Sequence, residues 1–374
     1  MEENKKQDPG MSRVMCSQNS RNNNFGALHL LAAFYVLYGH QCALLNNATP
    51  IFFGSQIQAL GVKIIFLISG YLIMKSLLSS KGDTARSGAV FVVKRLGRLL
   101  PELIFVVTVS ALLLGSLMTT LPLKEYLGNG VTWQYILGNV FFFPEYGLPG
   151  VFMDNPYVGA VNGSLWTMPV EVSLYLIFLI VFLLFRNAER RRKVYIGLTV
   201  VITGLFLIQL LIFPSGRFVF YGTNWVSALK VMPYMLLGGC AYLVDIRKYL
   251  NLQVAIFLMF ACNAVSFHSL FLSELLCLLT LPYCVFALCL SDNQKIKLRV
   301  LKGEYAYGIY LWGFPIQQCL IQMFYVNGKI TSFHLLFLLS AVITYLLAAI
   351  SHHIVYKPFS VWNRKLIGRI EKMG

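Results

Sequence analysis

The sequence predicts an all-α fold, a polytopic membrane bundle of about ten transmembrane helices with its N- and C-termini in the cytoplasm. Of the 374 residues, 57% are hydrophobic and only 12% are charged, whereas a soluble domain carries about 25% charged residues. Ten apolar segments approach the roughly 20 residues that a membrane span needs. They cover approximately residues 26–45, 60–78, 100–119, 167–185, 195–213, 226–244, 252–267, 271–290, 305–324 and 335–355.

The basic residues are distributed unevenly between the two sides of such a bundle. With the N-terminus in the cytoplasm, 26 of the 31 Lys and Arg residues lie in cytoplasmic segments, as the positive-inside rule requires. This distribution accounts for the net charge of +16 without any nucleic-acid partner. We expect a disordered cytoplasmic tail over 1–24, because that stretch is polar, a membrane domain over 25–356 and a basic cytoplasmic tail over 357–374.

Two histidines, His29 and His40, lie in the first span. Because they are 11 residues apart, they share one helix face and are separated by about 16 Å along the axis. Ionisable groups at membrane depth are rare and usually functional, and imidazole is well suited to carry a proton near neutral pH. The sequence therefore predicts proton chemistry at His40. The alternative is a pair of core histidines that hydrogen-bond to neighbouring helices.

Two arginines precede the third span. Arg95 and Arg98 are three residues apart and can share one helix face, and Pro101 favours the first turn of a helix. We therefore expect both guanidinium groups beside a helix N-terminus on the cytoplasmic side, where backbone N–H groups also attract anions. Because Arg binds phosphate through two parallel hydrogen bonds, the pair is a candidate seat for a phosphorylated donor. The alternative is ordinary positive-inside anchoring.

The fourth span opens with a run of turn and capping residues that ends in a carboxylate. Ser164 or Thr167 can cap the helix, and Pro169 fits its first turn. Glu171 then faces the positive end of the helix dipole at the outer side. We expect this carboxylate at the depth of His40, where it could fix the tautomer of the imidazole. Stabilisation of the helix end is the alternative.

The other polar and cysteine residues give weaker signals. None of the eight cysteines forms a CxxC pair, so we expect small core residues, and no metal-ligand spacing is present. Lys63 and Lys230 are expected to snorkel at outer helix ends, while Glu102 and Glu274 have no role beyond helix-end effects. The aromatic outer loop, about 120–166, predicts an interfacial belt or a surface that stacks on sugar rings.

Taken together, these segments resemble the acyltransferase-3 family of membrane acyltransferases, which modify cell-surface glycans. The resemblance extends from Gly26 to Arg364. The stretches that carry it are Leu28 to His40, Ile65-Phe66-Leu67-Ile68-Ser69-Gly70-Tyr71-Leu72-Ile73, Arg95 to Pro101, Ser164 to Tyr175 and Tyr305 to Pro315. Each stretch alone is a modest signal, but the five in this order are specific.

The resemblance implies a membrane acyltransferase domain over 25–356, catalytic roles for His40 and Glu171, and acyl-donor binding by Arg95 and Arg98. Supporting positions in the same stretches are His29, Ser69, Ser164, Trp166 and Tyr175. The expected donor is acetyl-CoA or another acyl-CoA, the expected acceptor is a carbohydrate, and no metal or permanently bound cofactor is expected. The implied location is a multi-pass position in the bilayer of the bacterial cytoplasmic membrane.

Four positions depart from the pattern that the resemblance implies. Many family members have Arg at the position of His29, His at Gly313, Glu at Tyr356, and a neutral or acidic residue at Lys63.

The mechanism expected from these residues is O-acyl transfer, with His40 as the general base on a sugar hydroxyl and Glu171 as its orienting partner. The phosphates of the donor would be held by Arg95 and Arg98. Because His40 lies toward the outer side, either a cavity admits the donor arm or the acyl group is relayed. A competing class is a transporter of a glycan or lipid precursor without acyl chemistry, in which buried His and Glu form a polar path. An acyltransferase with an amine acceptor or a succinyl donor is a third reading.

Overall fold

The computed structural model of the chain describes residues 23–79, 84–216, 218–264, 269–290 and 303–372. Within these ranges the chain is helical apart from loops and two short antiparallel hairpins. The all-α bundle that the sequence predicts is therefore confirmed. The tail predicted over 1–24 lies outside the described residues, apart from Asn23 and Asn24.

Thirteen helices are present in the described part of the chain. The first five are α1 (Phe25–Leu44), α2 (Ile57–Leu78), α3 (Thr84–Val109, continued by a π-helical turn at Ser110–Gly115 to Met118), α4 (Leu123–Gly128) and α5 (Gly130–Val140). The next five are α6 (Thr167–Leu184), α7 (Ala188–Ile212), α8 (Trp225–Leu243), α9 (Leu252–Ala264) and α10 (Leu270–Leu290). The last three are α11 (Ala306–Leu320), α12 (Phe333–Ser351) and α13 (Lys357–Lys372). The hairpins pair β1 (Ile51–Phe52) with β2 (Ser55–Gln56) and β3 (Val219–Phe220) with β4 (Thr223–Asn224).

Each of the ten apolar segments that the sequence predicts corresponds to a helix. Eight stretches of the described chain are long and apolar enough to cross a membrane. The two other predicted segments form shorter helices, namely α9 with 13 residues and α11 with 15 residues. Every residue of α11 except Tyr307 is buried, so this helix runs through the centre of the bundle. The protein is thus a multi-pass membrane protein.

Glycines allow a close contact between α2 and α8. A Cβ atom at Gly70 would overlap the carbonyl group of Met235, and one at Gly238 would overlap that of Leu67. Small residues at such crossings let two backbones approach, which is how membrane helices gain packing energy without a hydrophobic driving force. The pair therefore fixes the distance between two helices that support the centre of the bundle.

Replacing Gly70 by Ala is expected to lower the stability of the protein by about 1–3 kcal/mol, since the added methyl group must push the two backbones apart. Thermal unfolding in detergent measures the effect. Gly197→Ala on α7 is the matched control, because a Cβ atom there meets nothing within 4 Å. An unfolding temperature for Gly70→Ala equal to that of the control would contradict the tight crossing.

The third span begins earlier than the sequence predicts. Pro101 does not open a helix but lies within α3, which starts at Thr84. Proline is tolerated inside membrane helices because neighbouring elements can satisfy the backbone groups that it frees. Arg95 and Arg98 therefore lie in mid-helix, and the expectation of a helix N-terminus beside them is wrong.

The basic C-terminal segment forms the amphipathic helix α13, which a π-helical turn at His352–Tyr356 joins to α12. Its buried residues Asn363 and Ile367 face the bundle, and Asn363 Nδ2 donates a hydrogen bond to the Val93 carbonyl at 3.2 Å. A Cβ atom at Gly97 would overlap the Asn363 side chain, so a glycine is needed where α13 crosses α3. The segment predicted as a basic tail therefore braces the helix that carries Arg95 and Arg98.

Lys63 does not snorkel, and that expectation is wrong. Its side chain is 1% exposed and its Nζ atom lies 2.6 Å from Glu274 on α10. The same ammonium group donates to Ser55 Oγ at 2.5 Å and lies 5.3 Å from the centre of the Tyr234 ring. Because Lys63 faces other helices and not the lipid, only a carboxylate from another helix can compensate its charge. Glu274, to which the sequence assigned only a helix-end effect, supplies it.

The cysteines behave as small core residues. The seven cysteines in the described ranges are all free, and six of them are buried; Cys16 lies outside these ranges. Among the residues that the structure describes, no three His, Cys, Asp or Glu side chains form a group that could hold a metal ion.

Candidate active site

His40 lies near the end of α1, one turn before the helix stops, and is partly exposed. Its ring meets Phe314 of α11 edge-on, with the ring centres 5.3 Å apart. Phe314 also contacts Tyr157 of the long loop, the aromatic segment over about 120–166, with ring centres 6.1 Å apart. The imidazole thus lies where α1, α11 and this loop meet, and a molecule approaching from this side can reach it. We call this end of the bundle the His40 face.

The long loop is tied to α11 beside His40 by amide side chains. Asn155 Nδ2 donates to the carbonyl of Gln318 at 2.9 Å and to its Oε1 at 2.8 Å. Gln318 Nε2 in turn donates to the carbonyls of Tyr157 and Ala160 at 2.9 and 2.8 Å. Because these amide groups are buried, the bonds hold the loop rigidly over the His40 face.

The loop then turns into the bundle before α6 begins. Asn162 is fully buried and its amide donates to the Leu311 carbonyl at 3.0 Å. Its Oδ1 accepts from the Ser164 backbone N–H at 3.0 Å, so Asn162 caps the 3₁₀ turn that precedes α6. The expectation that Ser164 or Thr167 caps this helix is wrong. Instead, the Thr167 hydroxyl lies 2.8 Å from that of Tyr310.

Because α6 starts inside the bundle, Glu171 lies deeper than the sequence predicts. It lines a cavity with His29 and Arg98, at the opposite end of α1 from His40. Its carboxylate accepts a hydrogen bond from the Tyr175 hydroxyl, one turn along α6. The expected depth was wrong because it assumed that the fourth span starts at the membrane surface.

Arg95 is buried beside this pair. Its guanidinium group lies 5.5 Å from the Phe91 ring and 5.8 Å from the Tyr175 ring, and its NH2 atom donates to the Leu72 carbonyl at 3.4 Å. Only 9% of the residue is exposed. Arg95 and Glu171 thus share Tyr175 as a neighbour, which packs against the guanidinium group and donates its hydroxyl proton to the carboxylate.

A narrow cavity of about 40 Å³, which we call the inner slot, runs between α1, α2, α3, α6 and α11. Its polar lining consists of His29, Ser69, Arg98, Thr167, Glu171, Tyr307 and Tyr310. Among the described residues, the Nε2 atom of His29 is buried without a hydrogen-bond partner. Tyr310, which lines the slot, is one turn along α11 from Phe314, which contacts His40. The lining of the slot thus comes within one helical turn of the residue that contacts His40.

Two of the predicted supporting residues act through their backbones. The Ser164 carbonyl accepts hydrogen bonds from Tyr310 at 3.0 Å and from Thr167 at 3.2 Å, while its own hydroxyl has no partner. The Trp166 carbonyl accepts from Thr223 at 3.0 Å. Both residues fix the start of α6, and with it the position of Glu171.

A wider cavity of about 300 Å³, which we call the vestibule, adjoins the inner slot. Arg98 and Tyr307 line both cavities. The other residues of the vestibule are Gly26, Glu102, Gly303, Glu304, His352 and Tyr356. The vestibule lies at the end of the bundle where α1 and α11 begin and where α12 is followed by α13. We call this end of the bundle the basic face. Sequence reasoning missed Glu304 and His352, and saw Tyr356 only as a departure from a pattern.

The acyltransferase-3 family model, described as an acyltransferase domain, matches residues 22–353 of this chain. The chain belongs to this acyltransferase family. It is 26% identical to an O-acetyl transferase of Shigella phage Sf6 over 91% of the chain and 96% of the relative. It is also 25% identical to the O-acetyltransferase OatA of Staphylococcus aureus over 80% of the chain. This match covers 52% of OatA, so the chain spans about half the length of that relative. No solved structure matches the chain.

Membership in the family gives the two cavities a chemical context. The enzyme is a multi-pass membrane acyltransferase, so it must bind an acyl donor and an acceptor. Arg98 lines both the wide and the narrow cavity, and Tyr310 of the narrow one is one helical turn from Phe314, which contacts the partly exposed His40.

The aromatic loop over about 120–166 contains both buried anchoring residues and exposed aromatic residues. Tyr126 is fully buried and donates to the Ala111 carbonyl at 2.6 Å. Burial raises the pKa of Tyr126 to about 12, so its hydroxyl remains a neutral donor. Trp133, Phe141 and Phe143 are instead half exposed or more. The loop thus presents an aromatic surface, as either an interfacial belt or a sugar-stacking face requires.

Proposed function

We propose that the enzyme is an O-acetyltransferase that moves an acetyl group from cytoplasmic acetyl-CoA to a hydroxyl of a cell-surface or lipid-linked carbohydrate. The observation that carries the proposal is the continuous lining from the vestibule through Arg98 and the inner slot to Tyr310, one helical turn from the residue that contacts His40. The names of the relatives support acetyl as the group and oxygen as the accepting atom.

In this proposal the donor enters from the basic face, which the positive-inside rule assigns to the cytoplasm. The exposed guanidinium group of Arg98 binds the diphosphate of acetyl-CoA at the junction of the two cavities, because planar guanidinium groups pair well with phosphate oxygens. We place the slim arm that carries the thioester in the inner slot, which is too narrow for the nucleotide. The distance of about 16 Å between His29 and His40 along α1 is then covered by the arm, and no relay is needed.

His40 is the general base in this reaction. Its imidazole accepts the proton of the acceptor hydroxyl while the hydroxyl oxygen attacks the thioester carbonyl carbon. A carbon–oxygen bond forms, the carbon–sulfur bond breaks, and the CoA sulfur leaves as a thiolate that takes up the proton. The partial exposure of His40 on its own face supports this role, since the acceptor must reach it.

In this proposal Glu171 acts at the donor end of the path and does not orient His40. The hydrogen bond from Tyr175 and the nearby Arg95 hold its carboxylate in place. From there it faces the inner slot together with Arg98 and Ser69. The guanidinium group of Arg95 lies against the rings of Phe91 and Tyr175. We therefore assign Arg95 a positioning role and assign phosphate binding to Arg98.

The acceptor approaches from the His40 face. The exposed rings of Trp133, Phe141 and Phe143 offer flat apolar surfaces to sugar rings, and the loop that carries them is anchored beside His40. This arrangement supports a carbohydrate acceptor outside the bacterial cytoplasmic membrane. A transporter without acyl chemistry would need no acyl donor, so dependence on acetyl-CoA separates the two functions.

The proposal is tested by incubating membranes that contain the protein with acetyl-CoA labelled in the acetyl group and extracting the glycans. Labelled ester in glycans, absent from membranes without the protein and removed by mild alkali, is the expected result. If correctly inserted protein transfers label from neither acetyl-CoA nor any other acyl-CoA, the proposed function is wrong.

Arg98→Ala is expected to raise the acetyl-CoA concentration required for half-maximal rate by about tenfold or more, because a charge-assisted hydrogen bond to phosphate is lost. The initial rate of label transfer measured at increasing donor concentration gives this value. Lys94→Ala removes an exposed positive charge from the same helix and serves as the control. Equal donor requirements for the two variants would exclude phosphate binding by Arg98.

A further inference from the structure

The vestibule has a set of side chains that the transfer reaction described above does not use. Glu102 is only 2% exposed, and a long hydrogen bond of 3.5 Å from Ser351 Oγ is the one that its carboxylate accepts within the described residues. Glu304 lies at the mouth of the cavity, where it is half exposed. These carboxylates leave several acceptor positions open to a donor in the cavity.

His352 and Tyr356 add an aromatic wall. Their rings are 5.1 Å apart and inclined by 34°, and Tyr305 packs edge-on against His352 at 5.3 Å. His352 is 8% exposed, and its Nδ1 atom is buried without a hydrogen-bond partner among the residues that the structure describes. Its Nε2 atom lies 3.9 Å from Glu304, beyond hydrogen-bond distance. A buried, unpaired ring nitrogen beside a cavity indicates a ligand that supplies the missing partner.

The floor of the vestibule is formed by backbone. A Cβ atom at Gly303 would overlap the backbone of Gly26, so the start of α1 and the turn before α11 touch without side chains between them. The absence of side chains at these two positions keeps the cavity wide. At about 300 Å³ against about 40 Å³ for the inner slot, it has room for a flat ring system that the slot cannot admit.

The charges of the lining restrict what this ligand can be. Glu102 and Glu304 would repel a group of phosphates, whereas Arg98 at the inner end attracts them. A heterocyclic base with an exocyclic amine fits the carboxylates, because the amine donates hydrogen bonds, and it fits the rings, because bases stack on aromatic side chains. The lining thus matches a purine nucleotide, with its base toward Glu102 and His352 and its phosphates at Arg98.

We propose that the vestibule is a nucleotide-recognition site that binds the adenine ring of the acyl donor, with Glu102 and His352 as the residues that select it. This inference rests on the proposed use of acetyl-CoA. It makes the enzyme selective for donors that carry the nucleotide over donors that end at the pantetheine arm.

The experiment compares two donors, acetyl-CoA and acetyl-pantetheine, which lacks the nucleotide. His352→Ala and Glu102→Met are each expected to raise the KM for acetyl-CoA about tenfold with little change in kcat, and to leave kcat/KM for acetyl-pantetheine unchanged. His353→Ala is the matched control. The His353 ring is next to His352 in the sequence, is exposed and hydrogen-bonds to Tyr305 at 3.1 Å, but it does not line the vestibule. Adenosine 3′,5′-bisphosphate should inhibit the wild type competitively and both variants about tenfold more weakly.

Two outcomes would overturn the nucleotide site: equal losses with both donors, or no loss with either. A wild-type enzyme with equal kcat/KM values for acetyl-pantetheine and acetyl-CoA would also overturn the nucleotide site. Failure of the wild type to transfer acetyl from either donor would instead refute the proposed function. Glu102→Met removes a buried carboxylate without opening a cavity, so it tests the site even if His352→Ala folds poorly.

Discussion

Replacing His40 by Ala is expected to abolish acetyl transfer while the protein remains folded in the membrane. A positioned general base contributes roughly 10²–10⁴-fold to the rate, and His334, the other described histidine at this end of the bundle, has its ring contact with Phe333 and not with Phe314. Because the ring is partly exposed and makes only an edge contact with Phe314, its removal costs little packing. Transfer of labelled acetyl into glycans, normalised to the amount of inserted protein, measures the loss.

His334→Ala is the control for this substitution. His334 is exposed at the start of α12, and its ring contacts that of Phe333, so the variant should keep the wild-type rate. A His40→Ala enzyme that retains more than about a tenth of the wild-type rate would contradict general-base catalysis.

Replacing Lys63 by Met is expected to lower the free energy of unfolding by about 3–5 kcal/mol, the usual cost of leaving one partner of a buried ion pair alone. Glu274 would remain 5% exposed without the ammonium group that lies 2.6 Å from it. The hydroxyl of Ser55, which anchors the hairpin before α2, would also lose its donor. Thermal unfolding in detergent, followed by the loss of monodisperse protein, should occur at a clearly lower temperature.

The double variant Lys63→Met/Glu274→Met separates charge from packing. Apolar residues of similar size often replace a buried ion pair without loss, so the double variant should recover most of the stability that the single variant loses. A double variant as unstable as Lys63→Met would show that shape, and not the unpaired carboxylate, explains the loss.

The fold was predictable because the bilayer leaves few choices. Backbone groups in hydrocarbon must be paired internally, so long apolar segments become helices, and each of the ten predicted segments corresponds to a helix in the described residues. The position of His40 on α1 followed from the same pattern. The role of His40 in proton transfer and the role of Arg98 in donor binding remain predictions.

The depth of the site residues was not predictable, because it depends on contacts between distant parts of the chain. Glu171 lies with His29 since the preceding loop enters the bundle, and the bond from Asn162 to Leu311 that holds it there joins residues 149 positions apart. No local pattern encodes that contact. The proline signal at Pro101 was local and placed a helix start wrongly. The capping signal at Ser164 placed the start of α6 correctly, near Thr167, but named the wrong capping residue.

The buried polar pairs were hidden for the same reason. Lys63 and Glu274 are 211 positions apart, and each alone resembles an ordinary residue near a helix end. Glu102 and Ser351 are separated by 249 positions, so the vestibule emerges only when α3 and α12 are packed together. An ionisable residue inside an apolar segment indicates that a partner exists, but the sequence does not say which residue it is.

The central claim is that the donor reaches His40 from the basic face through the vestibule and the inner slot. Sealed membrane vesicles of both orientations test it most directly, because CoA thioesters carry several charges and do not cross a bilayer unaided. Labelled acetyl-CoA supplied only at the basic face should yield acetylated glycan, and the same donor supplied only at the His40 face should yield none. Transfer from the His40 face alone would contradict the account.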